Sequence, residues 1–309
     1  MSIGAIATIP PYAPFIREVA RHQIVSGLRL NTVMPVKGSL EEMLKRLDDE
    51  TKNAGNKELW IDLKCRQLRV KEYWVPPFTE IKISHSIKVE TPVTAYFSDG
   101  NEQATVVEVD GDRLIMLEGP KRVVGPGESI NIVHPSLSIE GFLTETDKRY
   151  IESACKVGIH NYMLSFTEKQ EDIEALYKLD AEARTVAKIE SNKGMDYVKN
   201  VWDKNNENKG IKPRLMAARG DLYVELSKPH EIIDAVETIL KKDKDAIVAS
   251  RLFNSFSHSL EPTCNDIGDV DNLLRMGYKT FMLGDDICMR RESLLSALNL
   301  FSAMAERYV

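Results

Sequence analysis

No stretch of this chain approaches the ~20 consecutive apolar residues that a membrane-spanning helix requires, so an integral membrane helix is excluded. The amino terminus, MSIGAIATIPPYAP, has no basic segment followed by a long apolar run. No secretory leader is therefore expected, and a cytoplasmic setting is. Cysteine is scarce: Cys65, Cys155, Cys264 and Cys288 stand far apart and form no C-x-x-C pair, which reads as reduced thiols rather than a disulfide or zinc framework. The six histidines (22, 85, 134, 160, 230 and 258) show no pair at helical or strand spacing, and each reads as structural or surface. No segment is strongly basic, and 41 basic against 47 acidic residues give a net charge of −6, which argues against nucleic acid as the main partner. G-x-S-x-G, Walker and G-x-G-x-x-G signatures are all missing, so serine-hydrolase, P-loop and dinucleotide-binding readings have no support. What remains is an ordinary globular composition. With 43% hydrophobic residues in 309, the chain is too apolar for general disorder and long enough for one large barrel or two medium domains.

Eight short apolar or β-branched runs alternate with stretches of helical period: 4–9, 27–31, 58–63, 160–166, 185–189, 213–218, 246–250 and 279–283. Helix candidates lie at 38–53, 145–157, 168–180, 229–241 and 266–276, with a last one near 289–307. In IIDAVETILKK, Ile232, Ile233, Val236, Ile239 and Leu240 fall on one face. Eight βα units of this kind predict an α/β fold, a closed (β/α)8 TIM barrel, over an open doubly wound sheet. Residues 72–140 break the alternation. They carry no good helix but several strand-like runs, punctuated by the turn dipeptides Asp99-Gly100, Asp110-Gly111 and Pro126-Gly127. The expected organisation is a barrel from 1–71 and 141–309, with a small β-rich lid at 72–140 inserted after the third strand. Residues 203–212, rich in Asn and Lys, read as a solvated loop.

Polar residues end many of the strand candidates. Lys188 and Glu190 are two apart, so on a strand they share a side. At a barrel mouth they suit a site in which the carboxylate holds a metal and the ammonium faces an oxyanion. The plainer alternative is a surface ion pair. Ala218-Arg219-Gly220-Asp221 follows a strand and precedes a helical segment. Gly220 lets the backbone approach a ligand, and the amides at a helix N-terminus can bind a carboxylate or phosphate. Asp221 would add a second hard oxygen, as Mg²⁺ or Mn²⁺ prefers, although an N-capping Asp in a tight turn is commonplace. Arg29 and Asn31 share a face at the end of the second strand, and arginine's planar fork suits a phosphate or carboxylate. Asp62 and Lys64 end the third strand, Ser165 the fourth and Ser250 the seventh.

Taken in order along the chain, these segments resemble the pyruvate kinase family. V-A-K-I-E-S-N-K-G resembles K-I-E-N-x-x-G, and M-A-A-R-G-D-L-Y-V-E-L resembles M-V-A-R-G-D-L-G-V-E. G-L-R-L-N is similar to A-R-x-N-F-S-H-G, and I-D-L-K-x-x-x-L-R to L-D-T-K-G-P-E-I-R. L-T-E-T-D-K, Leu164-Ser165-Phe166 and E-P-T-C-N-D-I-G-D-V-D-N also have counterparts. The resemblance implies that Glu190 and Asp221 hold a divalent metal, and that Lys188 stabilises charge on the transferring phosphoryl group and the enolate. It further implies that Arg29 contacts phosphate and that the backbone from Ala218 to Asp221 binds the substrate carboxylate. Ser250 stands where the family has a threonine near the enolate carbon. Asn31, Asp62, Lys64 and Asp99 fall on the nucleotide side, Asp99 matching a D-D-G turn of the lid.

The departures from the family pattern are concentrated on that side. Of the monovalent-cation ligands Asn31 and Asp62 remain, but Val33 and Leu63 replace a serine and a threonine, so a K⁺ site is not expected. The F-S-H-G segment reads Thr32-Val33-Met34-Pro35, and G-P-E reads Cys65-Arg66-Gln67. The family's C-terminal regulatory domain is not expected either, and its usual tetramer does not follow, although a homo-oligomer would be compatible. The leading expectation is metal-dependent phosphoryl transfer between phosphoenolpyruvate or pyruvate and a nucleotide (ADP/ATP) or other acceptor. A lyase, aldolase or decarboxylase on a pyruvate-type 2-oxo acid is the alternative, followed by a non-catalytic binding relative.

Overall fold

The computed structural model describes residues 2–97, 100–202, 210 and 212–308. Three strands open the chain: β1 (Gly4–Thr8), β2 (Val25–Asn31) and β3 (Glu58–Leu63). Seven short strands follow: β4 (Glu80–Lys82), β5 (Ile87–Lys88), β6 (Val93–Phe97), β7 (Glu102–Asp110), β8 (Arg113–Glu118), β9 (Ile130–Ile132) and β10 (Ser138–Ile139). Five more complete the set: β11 (Asn161–Leu164), β12 (Arg184–Ile189), β13 (Arg214–Ala218), β14 (Ile247–Ala249) and β15 (Thr280–Leu283). The first three and the last five close into a barrel in the order β1-β15-β14-β13-β12-β11-β3-β2, with every neighbouring pair parallel. The fold is thus the expected eight-stranded barrel, and all eight strands fall within the runs read from sequence or overlap them.

Helices α1 (Ile16–Arg21), α2 (Leu40–Gly55), α3 (Glu145–Lys156), α4 (Gln170–Tyr177), α5 (Asn192–Asn200), α6 (Arg219–Glu225), α7 (Glu231–Lys242), α8 (Cys264–Met276), α9 (Asp285–Cys288) and α10 (Arg291–Ala305) form the outer layer. No helix among the described residues is long and apolar enough to cross a membrane. The barrel strands are buried on both faces, which is why they read as near-continuous apolar runs. Their outward residues pack under the helices with Leu44, Ile173, Leu222, Ile239 and Phe301. Their inward residues form a separate layer of Ile6, Trp60, Met163, Val186, Met216, Ile247 and Met282 that fills the barrel.

Between β3 and β11 the chain builds an antiparallel sheet in the order β4-β8-β7-β6-β9, and β10 pairs with β5. This inserted unit has its own core of Trp74, Ile83, Phe97, Val106, Leu114 and Ile132, which reaches back to Leu68 and Val70 on the stem from the barrel. Here the pattern alternates, as in VTAYF, because one face of each strand is more open. Asp110-Gly111 turns the β7–β8 hairpin, with Gly111 at φ 58°. The run EIKISHSIKV forms two short strands rather than one, since Ser84 turns aside to hydrogen-bond the stem at Arg69 and Gln67. Asp99 and most of 203–212 lie outside the described residues.

Candidate active site

A period of two governs the barrel strands, so residues two and four beyond the apolar layer also point inward, toward the mouth. From Val186 this carries Lys188 and Glu190 inward, from Trp60 Asp62 and Lys64, from Met163 Ser165, and from Ile6 Thr8. Arg29 pairs in register with Trp60 and Asn31 with Asp62, so both join the same layer. Above them a cavity of about 730 Å³ is lined by Arg29, Lys64, Lys188, Glu190, Asp221 and Ser250, among others, and by Gly127–Ser129 of the inserted unit.

One half of the mouth is organised around Asp62, which is fully buried. Arg29 Nε donates to its Oδ2 at 2.7 Å, and Arg29 Nη2 donates to the same oxygen. Lys64 Nζ lies 3.2 Å from that oxygen, and Lys188 Nζ lies 3.3 and 3.4 Å from the two carboxylate oxygens. Burial opposes ionisation of Asp62, but Arg29, Lys188 and Lys64 outweigh it and hold the carboxyl well below its usual range. Burial, reinforced by Lys188 and Arg29 against the pull of Asp62, pushes Lys64 down to about 7. Arg29 also donates to Thr8 Oγ1 at 2.8 Å and to Asp285 Oδ2 at 3.3 Å, and Asn31 Nδ2 donates to Asp285 Oδ2 at 2.8 Å.

The other half is carboxylate-rich. Glu190 Oε1 lies 3.0 Å from Lys188 Nζ, and its Oε2 accepts from the Phe166 amide at 2.8 Å. Burial pushes Glu190 up, and the Asp221 and Asp62 carboxylates add to that push against Lys188. Asp221 sits in the first turn of α6. Its Oδ2 accepts from Gln67 Nε2 at 3.2 Å and its Oδ1 from Asn131 Nδ2 at 3.0 Å, the latter a β9 residue of the inserted unit. Glu225, one turn further along α6, is pushed up to about 8 by burial, with Asp221 and Glu168 adding to it. Two acidic oxygen donors, one of them driven toward neutrality by burial and further by the other's charge, are a donor set that fits a hard divalent cation.

Lys188 joins the halves, donating to Ser165 Oγ at 2.9 Å while facing both Asp62 and Glu190. Ser165 and Asp62 lie beneath the cavity and do not line it. Ala218 caps α6 and also stands back from the lining. The Arg219 side chain turns away from the mouth: it pairs with Asp269 through two bonds of 2.7 Å and donates to the Ser250 and Arg251 carbonyls at 2.9–3.2 Å. Those carbonyls belong to a strained loop in which Ser250, Arg251 and Phe253 all have φ between 53 and 67°. Gly220 fits closely beside it: an added Cβ would lie 3.3 Å from that of Ser250, so a larger residue would push on that loop.

Sequence reading missed Asp285, Thr8, Gln67 and Asn131. The first two carry the same signal as the rest, a polar residue ending a strand run. Gln67 and Asn131 do not: only the folded stem and the β6–β9 pairing bring them to Asp221.

Comparison with known proteins bears on family and fold. A family model described as the pyruvate kinase barrel domain matches residues 57–288, three-quarters of the chain. The chain belongs to the pyruvate kinase family. Relatives named pyruvate kinase include one from Thermoplasma acidophilum, 26% identical over 312 residues, covering 93% of this chain and 54% of the relative. Another, from Borreliella burgdorferi, is 24% identical over 313 residues, covering 92% of this chain and 63% of the relative. This pyruvate kinase family member therefore spans between half and two-thirds of the length of those relatives. A crystal structure of Cryptosporidium parvum pyruvate kinase superposes with a TM-score of 0.80 over the whole chain and 71% of its own length, at 18% identity, which shows the shared fold. The match to the family model begins at the third barrel strand. Arg29 and Asn31 thus lie outside the matched segment, and Lys188, Glu190 and Asp221 lie inside it.

Proposed function

We propose that this pyruvate kinase family member is a metal-dependent phosphotransferase acting between phosphoenolpyruvate or pyruvate and a nucleotide or other acceptor. The observation that carries this reading is the position of Lys188. Its ammonium stands at the mouth between Asp62, which Arg29 and Lys64 also meet, and Glu190, whose ionisation burial and Asp221 oppose, within 3.5 Å of both. Glu190 and Asp221 would hold Mg²⁺ or Mn²⁺, which supplies charge neutralisation at phosphoryl and enolate oxygens when bound. Arg29, fixed by Asp62, Thr8 and Asp285 through four of its five N–H donors, would meet a phosphate with the one that remains and with its charge. The backbone amides from Ala218 to Asp221, at the start of α6, take the substrate carboxylate. Lys188 then faces the oxygen on which enolate charge develops, and Ser250 stands at the carbon that gains or loses a proton. Positioning and charge stabilisation by these groups account for the catalysis.

The inserted unit 72–140 serves as the lid on the nucleotide side, with Asn31, Asp62, Lys64 and Asp99 assigned to that side. Monovalent-cation activation is not part of the proposal, because Asp62 is already met by three cations and neither Val33 nor Leu63 carries a side-chain oxygen.

One observation favours a second reading. Arg66, which replaces a family proline, is turned from the mouth into a bidentate pair with Asp172 at 2.6 and 2.7 Å and lies over the Phe142 ring. The nucleotide side is thus rebuilt while the enolate side is whole, as in a lyase acting on a pyruvate-type 2-oxo acid. The deciding assay is pyruvate formation from phosphoenolpyruvate with Mg²⁺ or Mn²⁺, with and without ADP. ADP-dependent turnover establishes the phosphotransferase; no turnover together with metal-dependent binding of oxalate transfers the assignment to the lyase.

A further inference from the structure

At the end of the barrel opposite the mouth, three side chains from separate segments converge. Cys155 lies in the last turn of α3, His160 immediately precedes β11, and Asp180 lies in the turn between α4 and β12. A sulfur, a ring nitrogen and a carboxylate oxygen from these residues all lie within 4.8 Å of one another. Among the described residues this is the one group of three or more His, Cys, Asp or Glu donors so closely gathered. His160 Nδ1 is 2.7 Å from Asp180 Oδ2, and its Nε2 is 3.7 Å from Glu182 Oε2. Asp180 is only 4% exposed, and the side chain paired with it is the imidazole rather than a lysine or arginine. Around the donors, the Glu182 amide donates to Asp180 Oδ1 at 2.9 Å, and the Tyr162 hydroxyl lies 3.8 Å from Cys155 Sγ.

We propose that Cys155, His160 and Asp180 form a zinc-binding site at the closed end of the barrel, separate from the mouth and independent of the reaction there. The donor chemistry sets the metal class. Thiolate, imidazole and carboxylate are the ligands of Zn²⁺, whereas the all-oxygen set of Glu190 and Asp221 suits Mg²⁺ or Mn²⁺. Bonds of ~2.0–2.3 Å to one tetrahedral ion place donor atoms roughly 3.3–3.8 Å apart, so binding would replace the 2.7 Å hydrogen bond between His160 Nδ1 and Asp180 Oδ2, parting those atoms by about half an ångström, while the Cys155 sulfur draws in. Glu182, on the other edge of the imidazole, or water completes four-coordination. Burial, with Asp180, pushes the Cys155 thiol up, so binding expels its proton, as at other cysteine ligands. The ion would tie α3, β11 and the α4–β12 turn together where the barrel has no functional loops.

Co²⁺ is the probe, added to the reduced, chelator-treated full chain. A thiolate-to-cobalt charge-transfer band that saturates at one equivalent and is erased by Zn²⁺ is expected. Cys155→Ser should abolish the band, and His160→Gln should weaken cobalt binding about tenfold or more. Cys264→Ser, at an exposed thiol, and Asp221→Asn, at the mouth, should leave it unchanged. Absence of the band in the wild-type chain overturns the proposal, as does its survival in a folded Cys155→Ser variant or its loss in Cys264→Ser. If Cys155→Ser fails to fold, His160→Gln decides: cobalt affinity unchanged from wild type also overturns the proposal.

Discussion

Asp62 and Glu190 are carboxylates of one barrel mouth, 0% and 2% exposed, and share Lys188 as a neighbour, yet their ionisation is pushed in opposite directions. Burial acts on both in the same sense, so the difference comes from company. Asp62 is met by Arg29, Lys64 and Lys188; Glu190 has one ammonium and faces the Asp221 carboxylate. The mouth therefore has a half in which cations outweigh the buried carboxylate and a half in which burial and neighbouring carboxylates oppose ionisation of Glu190. On the proposed reading this difference bears on two separate questions: which half would hold a divalent cation, and whether a monovalent one is required beside Asp62.

The most severe way to break this arrangement is Lys188→Met, which removes the one group common to both halves. Turnover of whichever reaction the mouth performs should fall ~10³-fold or more, with far-UV circular dichroism unchanged. Full activity would remove the site assignment. Asp62→Asn should act on stability, because it leaves Arg29 and Lys188 buried together without their carboxylate and takes from Lys64, already at about 7, the group that favours its charge. A loss of about 3–5 kcal/mol in denaturant unfolding is expected near neutral pH. Asp62 is held below the ~3.9 of an unfolded aspartate. Its contribution is thus present above that value and fades as pH falls through the lower folded value, so the gap between wild type and variant should close in strong acid.

Glu225, one turn beyond Asp221 on α6 and behind the mouth, should show the opposite slope. It is raised to about 8, above the ~4.3 of an unfolded glutamate, so its contribution is full below pH ~4 and declines as pH rises through the folded value. Glu225→Gln should flatten that decline, gaining about 1–3 kcal/mol on wild type between pH 5 and pH 8. A slope unchanged by the substitution would contradict the comparison on this side. The smallest expected effect is that of K⁺: activity in its presence and absence should agree within about twofold, and a strong requirement would show that Asp62 is not satisfied as described.

The barrel was legible because its strands are buried on both faces and appear as apolar runs, and because a period of two carries Lys188 and Glu190 to the same side as Val186. Helices α2, α3, α4, α7, α8 and α10 were legible from their apolar period, whereas α1, α5 and α9 match no candidate; α3 starts in a capping box of Thr144 and Asp147 whose carboxylate also accepts from the Lys64 and Cys65 amides. What escaped reading depends on distant segments meeting. Nothing local marks Gln67 or Asn131 as partners of Asp221. The split of residues 80–89 into two strands follows from a hydrogen bond to the stem. Cys155 and His160 show no ligand spacing until Asp180, twenty residues on, folds beside them.

The hydrogen bond from Asn131 to Asp221 has a consequence for how the molecule moves. It ties the inserted unit to the barrel through a carboxylate that also belongs to the mouth. Whatever draws on that carboxylate loosens the tie, and whatever swings the unit away frees the carboxylate, by the same free energy in each direction. To the extent of that one bond, occupancy of the mouth and position of the inserted unit would be coupled, and the coupling could be read from either end.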